Sequence, residues 1–303
     1  MPIPAIHHPD YTFELPARHP FPMAKFRVLR QQLERFGDAF AWHTPEAIPV
    51  DTLARVHDRA YLQALFAGDL DRSAQRRSGF EWSEALVRRV RLETGGTLLA
   101  ARLALAHGLA LNAAGGTHHA HADHASGYCL LNDLAVTAST LIDEGRVGRV
   151  LIIDLDVHQG DGTARLLANE PRAVTCSFHA ADNFPARKAV SDIDVPLARG
   201  LGDDGYLAEL EARLPDALAK ARPDLVLYDA GVDVHADDRL GHLALTDNGL
   251  RRRDQAVVQT VRAAGVPLAA VIGGGYDRNV EALAARHAIL FATAAGFVPS
   301  SPV

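Results

Sequence analysis

The chain of 303 residues has only two cysteines, Cys129 and Cys176, and both lie in apolar stretches. Two thiols exclude a disulfide framework and predict a reduced, cytoplasmic setting. Basic residues are not in excess. There are 31 Lys and Arg against 37 Asp and Glu, for a formal net charge of -6. A general nucleic-acid binder is usually basic, so that class is set aside. No run of about 18 apolar residues occurs, which removes a transmembrane helix and a membrane role. The opening MPIPAIHHPDYTFELP lacks a basic n-region followed by an apolar h-region, so no signal peptide is expected. Internal repeats and low-complexity linkers are missing too, and Gly-rich pieces such as 200–205 are too short to separate domains. Hydrophobic residues make up 48% and charged residues 22%, ample for a core. One domain over residues 1–303 is expected.

Helical periodicity runs through 23–36, 51–66, 206–221, 250–264 and 280–291. Residues 83–111 read as one or two helices, with Ser83 as N-cap and a Gly95-Gly96 pair that implies close packing or a kink. Between the later helices lie short continuous apolar runs at 150–155 (VLIIDL), 173–178 (AVTCSF), 224–230 (DLVLYDA) and 266–272 (VPLAAVI). Such runs are typical of strands buried on both faces. Their alternation with helices predicts an α/β fold, a mostly parallel sheet flanked by helices on both faces.

In an open parallel sheet the functional crevice lies beyond the carboxyl ends of the strands. The first run continues through Asp154, Asp156, His158 and Asp161 in DLDVHQGDG, the third through Gly231-Val232-Asp233, the fourth through Gly273-Gly274-Gly275-Tyr276. Carboxylates, an imidazole and a phenol are thereby delivered to one sheet edge. Residues two apart on an extended segment point the same way, so Asp154, Asp156 and His158 are expected to share a face. A mixed Asp/His set suits zinc or a similar divalent ion, and three protein ligands leave a position open for water and substrate. Asp156, His158 and Asp233 make such a set; the alternative is that these carboxylates cap the following helix.

A second cluster, GGTHHAHADH, puts four histidines (His118, His119, His121, His124) in seven positions. It reads as a second metal site, as surface histidines, or as an active-site rim loop following a long helical region. Two imidazoles that do not ligate metal can serve as general base and acid, each oriented by a carboxylate. Asp154 and Asp161 are the available partners. The Gly273–Gly275 triplet lacks the Lys and Ser/Thr of a phosphate-binding loop and the spacing of a dinucleotide fingerprint. It reads instead as close backbone approach to the metal centre, with Tyr276 placed to hydrogen-bond an oxyanion, or as a glycine turn with a packing tyrosine.

Taken together, GGTHHAHADHASGYCLLND (115–133), DLDVHQGDG (154–162), SFH (177–179), AGVD (230–233) and GGGY (273–276) resemble the histone deacetylase family, which shares the arginase-like α/β fold. The order and approximate spacing match over nearly the whole chain. RHPFPMAKF (18–26) and NFPARK (183–188) look most like the class IV branch and its bacterial relatives. The resemblance implies Zn²⁺ on Asp156, His158 and Asp233. It implies that His119, held by Asp161, acts as general base and then acid, with His118 paired to Asp154 as electrostatic partner. Tyr276 would bind the substrate carbonyl, and Gly127 and Tyr128 would line the tunnel for the acyl-lysine stem. A structural K⁺ is implied at Asp154, Ser177 and Phe178, with backbone carbonyls of Asp156 and His158. The implied activity is hydrolysis of N-ε-acyl-lysine in a peptide or protein, with a small acylated amine as the other substrate class.

Tyr128 departs from the phenylalanine of many relatives, and Asp161 stands where class IV enzymes can carry asparagine. Glu81 in GFEW is the candidate for an acidic rim residue that grips the peptide backbone. His121 and His124 receive no role and read as solvent-exposed loop residues. The rival readings are an acetylpolyamine amidohydrolase, an arginase-type ureohydrolase, and a non-enzymatic zinc-binding module. The basic segment 68–82, with Arg72, Arg76 and Arg77, weighs against the polyamine reading. A missing second set of metal carboxylates weighs against the ureohydrolase.

Overall fold

A computed structural model describes residues 1–297; the last six residues of the 1–303 domain expectation lie outside it. Eight strands form one sheet in the order β2-β1-β3-β8-β7-β4-β5-β6. They are β1 (Ile3–Ile6), β2 (Phe40–His43), β3 (Leu109–Asn112), β4 (Val150–Asp154), β5 (Ala173–Ala180), β6 (Ile193–Leu197), β7 (Leu225–Asp229) and β8 (Leu268–Val271). Every pairing is parallel. The central strands β3, β4, β7 and β8 are buried at every residue, as strands covered on both faces must be. The helices are α1 (Lys25–Gln32), α2 (Val50–Leu53), α3 (Arg59–Ala67), α4 (Arg72–Ser78), α5 (Glu84–His107), α6 (Asp133–Asp143), α7 (Asp161–Leu167), α8 (Asp203–Ala221), α9 (Asp247–Ala263) and α10 (Val280–Ala295). α5 and α6 pack together against one side of the sheet; α8, α9 and α10 pack in sequence against the other. The α/β architecture is the expected one.

The four apolar runs are strands, and four further strands were not foreseen. β1, β2 and β3 are only four residues long, and edge strand β6 alternates in burial and contains Pro196. None offers a longer continuous apolar run, and proline is tolerated where one edge needs no donor. The expected helix over 83–111 ends at His107, where Gly108 turns left-handed, and β3 follows. Ser83 caps α5 by accepting from the Leu86 amide at 3.1 Å. Gly95 and Gly96 do not kink that helix; they admit the Glu46 carbonyl and the Tyr11 hydroxyl against its backbone. The helix expected at 51–66 is two, α2 and α3. Between them His57 is buried, its ring bonded to the His121 carbonyl (2.8 Å) and the Asn132 amide (2.9 Å).

Arg253 on α9 ties the helix layer to the sheet's functional edge. Its fully buried guanidinium donates to the carbonyls of Gly231 (2.5 Å) and Ala230 (3.1 Å), just beyond β7. It pairs with Asp254 at 2.9 Å, and Asp254 also accepts from the Tyr228 hydroxyl at 2.6 Å. Removing one partner of a buried pair leaves a charge without compensation, at a cost of about 3–5 kcal/mol. Arg253→Met should therefore lower the urea midpoint by that equivalent. Arg253→Met with Asp254→Leu should recover part of the loss, since no buried charge is then left alone. An unchanged midpoint in the single variant would remove the guanidinium from this account.

Candidate active site

Four neighbouring strands, β3, β8, β7 and β4, each send a loop from the carboxyl end to one crevice. Asp154, Asp229, Val271 and Asn112 are aligned in register at those ends. Beyond β3 run Gly115 to His119, so the histidine pair follows a strand and not the end of a helical region. Regular extension stops at Asp154 and the chain bends at residues 156–158. Asp154, Asp156 and His158 consequently do not share one face as the spacing implied. They divide between two clusters, Asp156 with His158 and Asp233, and His118 with Asp154 and Asp229. In each cluster the candidate ligand atoms lie within 4.8 Å of one another.

The first cluster fits a divalent cation. His158 Nδ1 is 2.9 Å from Asp156 Oδ1 and 3.2 Å from Asp233 Oδ2, aimed between two carboxylates. The Val157 amide holds Asp233 Oδ1 at 2.8 Å, and among the described residues the buried Oδ2 has no hydrogen-bond partner. The Gly274 amide holds Asp156 Oδ2 at 2.9 Å. Burial and the neighbouring Asp156 charge push the Asp233 carboxyl up to about 7. Two crowded carboxylates, one imidazole and an orphaned buried oxygen are what a bound cation resolves.

Each adjacent histidine is backed by its own carboxylate. His118 Nδ1 donates to Asp154 and His119 Nδ1 to Asp161, both at 2.7 Å. Burial opposes a charge on His118, but Asp154, Asp156 and Asp229 outweigh it and raise its pKa well above the usual imidazole value. Burial, aided by the neighbouring His118, lowers His119 to about 3 despite Asp161. His119 is thus neutral near pH 7. His121 is not an exposed loop residue: it is buried, with Nε2 at 3.2 Å from the second oxygen of Asp161. His124 is partly exposed, as expected of a loop, and its ring stacks on that of His121 at 4.3 Å. The close HH-A-H spacing was the available signal for His121, but periodicity assigns no burial to a loop.

Above these groups opens a cleft of about 710 Å³. Gly127 lies against the rings of His119 and Phe184, which meet edge-on at 4.8 Å. Tyr128 forms the opposite wall, 5.7 Å from the Tyr276 ring, and adopts φ +66°. Its amide donates to the Ser78 carbonyl at 3.1 Å. Gly79, at φ +78°, leaves room for its ring; a Cβ there would stand 2.5 Å from Cε1 of Tyr128. The Tyr276 hydroxyl has no protein partner among the described residues, and burial together with Asp156 and Asp233 raises its pKa well above the usual phenol value. It therefore stays protonated, a donor facing the cleft. Glu81 is exposed in an adjoining groove with Arg72 and Trp82 and does not line this cleft.

Ser177 pairs in register with Asp154, and Phe178 is fully buried one residue further along β5. Asp229 was not foreseen. Among the described residues both its buried carboxylate oxygens lack a hydrogen-bond partner, and burial beside Asp154 raises its pKa well above the usual range. Lys25 was also missed. It is buried under the glycine loop, donates to the Gly273 carbonyl at 3.1 Å, and is lowered by burial to about 8. Neither stands out in sequence, because each takes its meaning from elements brought together by the fold.

A cation-competent aspartate–histidine cluster flanked by carboxylate-backed imidazoles and a free phenol defines equipment for metal-assisted hydrolysis. Residues 19–292 match the histone deacetylase domain. An uncharacterized protein of Picosynechococcus sp. is 48% identical over 292 residues, 96% of this chain and 97% of that one. Histone deacetylase 2 of Arabidopsis thaliana is 35% identical over 193 residues, 62% of this chain and half of that relative. Among solved structures, the HDA15 HD domain superposes with TM-score 0.79 at 22% identity, covering 97% of this chain and 92% of that one. An acetylpolyamine aminohydrolase from Burkholderia pseudomallei gives TM-score 0.78 at 21% identity, covering 96% and 98%. The chain belongs to the histone deacetylase family of amidohydrolases.

A Cβ at Gly274 would collide with the carboxylates of both Asp156 and Asp233. Gly274→Ala should retain its circular dichroism but carry roughly tenfold less metal after equilibration with limiting zinc, the scale expected for disturbing ligand support. Wild-type metal content by elemental analysis would contradict this role for the glycine.

Proposed function

We propose that the protein hydrolyses the amide bond of N-ε-acyl-lysine, with zinc held by Asp156, His158 and Asp233. The observation that carries this reading is the convergence of that cluster, the neutral His119 and the protonated Tyr276 on one cleft. Zinc, when bound, supplies Lewis acidity toward the scissile carbonyl and the attacking water.

The chain's own groups then divide the proton work. His119, with Nδ1 committed to Asp161, offers Nε2 to take a proton from the attacking water. It returns that proton to the departing lysine amine. Tyr276 donates its hydroxyl to the carbonyl oxygen as negative charge develops there, and cationic His118 stabilises the same charge electrostatically. Gly127, Tyr128 and Phe184 enclose the aliphatic stem, excluding water from the reacting amide. In the same reading Asp154, Ser177 and the Phe178 carbonyl, with carbonyls of Asp156 and His158, hold a structural K⁺.

A small acylated amine, such as the acetylpolyamine named for one fold neighbour, is the alternative substrate, and a zinc-binding module without turnover the non-enzymatic one. Assaying peptides with varied acyl-lysines beside acetylated polyamines separates the three. Activity confined to polyamines, or bound zinc with no turnover on any amide, would overturn the lysine reading. His119→Ala and Tyr276→Phe should each retain zinc while turnover falls about a hundredfold or more. Near-wild-type rates in either variant would refute the assigned role.

A further inference from the structure

We propose that the cleft mouth selects acyl-lysines set among acidic residues, in an acidic segment of polypeptide; this rests on the acyl-lysine reading above. Arg76, Arg77 and Arg239 line the cleft with His242, and Asp156 on its floor is the one acidic lining residue among the described residues. The protein as a whole carries net charge -6, so this cationic mouth runs against its composition.

All three arginines are exposed, and among the described residues none has a carboxylate within ion-pair distance. Most of the nearby carboxylates are already engaged. Asp182 pairs with Arg199 at 2.7 Å and with His242 at 3.1 Å. Asp237 pairs with Arg286 at 2.8 Å, and Asp238 turns inward to accept the amides of Tyr276, Leu240 and Gly241. Asp71 caps α4 by accepting from the Ala74 amide at 2.7 Å. Glu14 and Glu81 line the adjoining groove, which shares Arg76 with this cleft, and among the described residues neither pairs with it.

The arginines are also fixed to the tunnel walls. Arg239 donates its amide to the Tyr276 carbonyl at 3.3 Å, and its charge reaches the Tyr128 phenol. Arg76 and Arg77 lie in the last turn of α4, whose Ser78 carbonyl receives the Tyr128 amide. With the reacting groups on the floor, the amine half of the substrate leaves through this mouth. Backbone and side chains beside the acyl-lysine therefore meet three guanidinium groups. Carboxylates there gain charge-assisted pairing, whereas polyamines and lysine-rich segments are repelled.

Three exposed pairs, each modest and screened by salt, should together change affinity about tenfold. The test measures binding by fluorescence anisotropy and turnover on the zinc-loaded protein. Its probes are acetyl-lysine peptides flanked by glutamate, glutamine or lysine. The glutamate peptide should bind about tenfold tighter than the lysine peptide, with that ratio collapsing between about 0.05 and about 0.5 M NaCl. Arg239→Gln, and separately Arg76→Gln with Arg77→Gln, should each reduce the ratio, which is internal to each variant and insensitive to partial loss of folded protein. Equal binding of the peptides, or preference for lysine flanks, would overturn the proposal even with turnover intact. Preferential binding of the glutamate peptide without turnover of any peptide would support the mouth while overturning lysine deacylation.

Discussion

A knot of buried negative charge at the ends of two adjacent strands governs the rest of the structure. Asp154 and Asp229 close β4 and β7, and Asp156 and Asp233 follow within four residues; none is more than 3% exposed. Burial pushes Asp154, Asp229 and Asp233 upward, so these groups resist ionising together without positive charge nearby. The surroundings meet that demand in several ways. His118 is held cationic, backbone amides of Val157 and Gly274 point at carboxylate oxygens, and Lys25 lies beneath the glycine loop. The Asp156–His158–Asp233 cluster is shaped to take its counter-charge from a cation. Arg253, on the other side, fixes the carbonyls of Ala230 and Gly231, so the loop bearing Asp233 cannot swing away from the repulsion.

The residues that form this knot were legible in sequence where strand and motif coincide. VLIID running into Asp154, Asp156 and His158, and LVLYD running into Asp233, announce both a buried strand and its functional end. Legibility failed where the signal is three-dimensional. β3 is four residues long and follows directly on a 24-residue helix, so its sequence continues an apparent helical pattern. Asp229 reads as the polar end of a strand, and only its approach to His118 and Asp154 gives it chemical company. The D-x-D-x-H spacing implied one shared face, and the fold brings Asp156 and His158 to Asp233 by another route. Alternation fails after Asp154, and bends rather than extension present Asp156 and His158 to Asp233. His121 was assigned to solvent because loops usually face it, yet the loop folds inward to share Asp161.

The tunnel wall depends on a contact remote in sequence. Tyr128 keeps a left-handed backbone because its amide is bonded to Ser78 and its ring occupies space vacated by Gly79. The end of α4 thus positions this wall of the cleft, and the same helix end carries Arg76 and Arg77. Chain length and polarity alone describe 68–82 as a short basic loop. Folded, it couples what lines the tunnel to the charge at its entrance.

His118 and His119 show how far environment outweighs residue type. They are adjacent, their rings are 4.1 Å apart, and each donates to an aspartate at the same 2.7 Å. Local hydrogen bonding cannot distinguish them, yet one is held charged and the other neutral. Burial disfavours charge on both. His118 overcomes it because Asp156 and Asp229 add to the effect of Asp154, whereas Asp161 divides its oxygens between His119 and His121. Once His118 is cationic, a second charge at about 4 Å costs about 4 kcal/mol at an effective dielectric of 20. That repulsion adds to the larger effect of burial, and an already divided carboxylate does not offset the two. The aspartate knot that favours a cation therefore also fixes, through His118, which imidazole remains free to accept a proton.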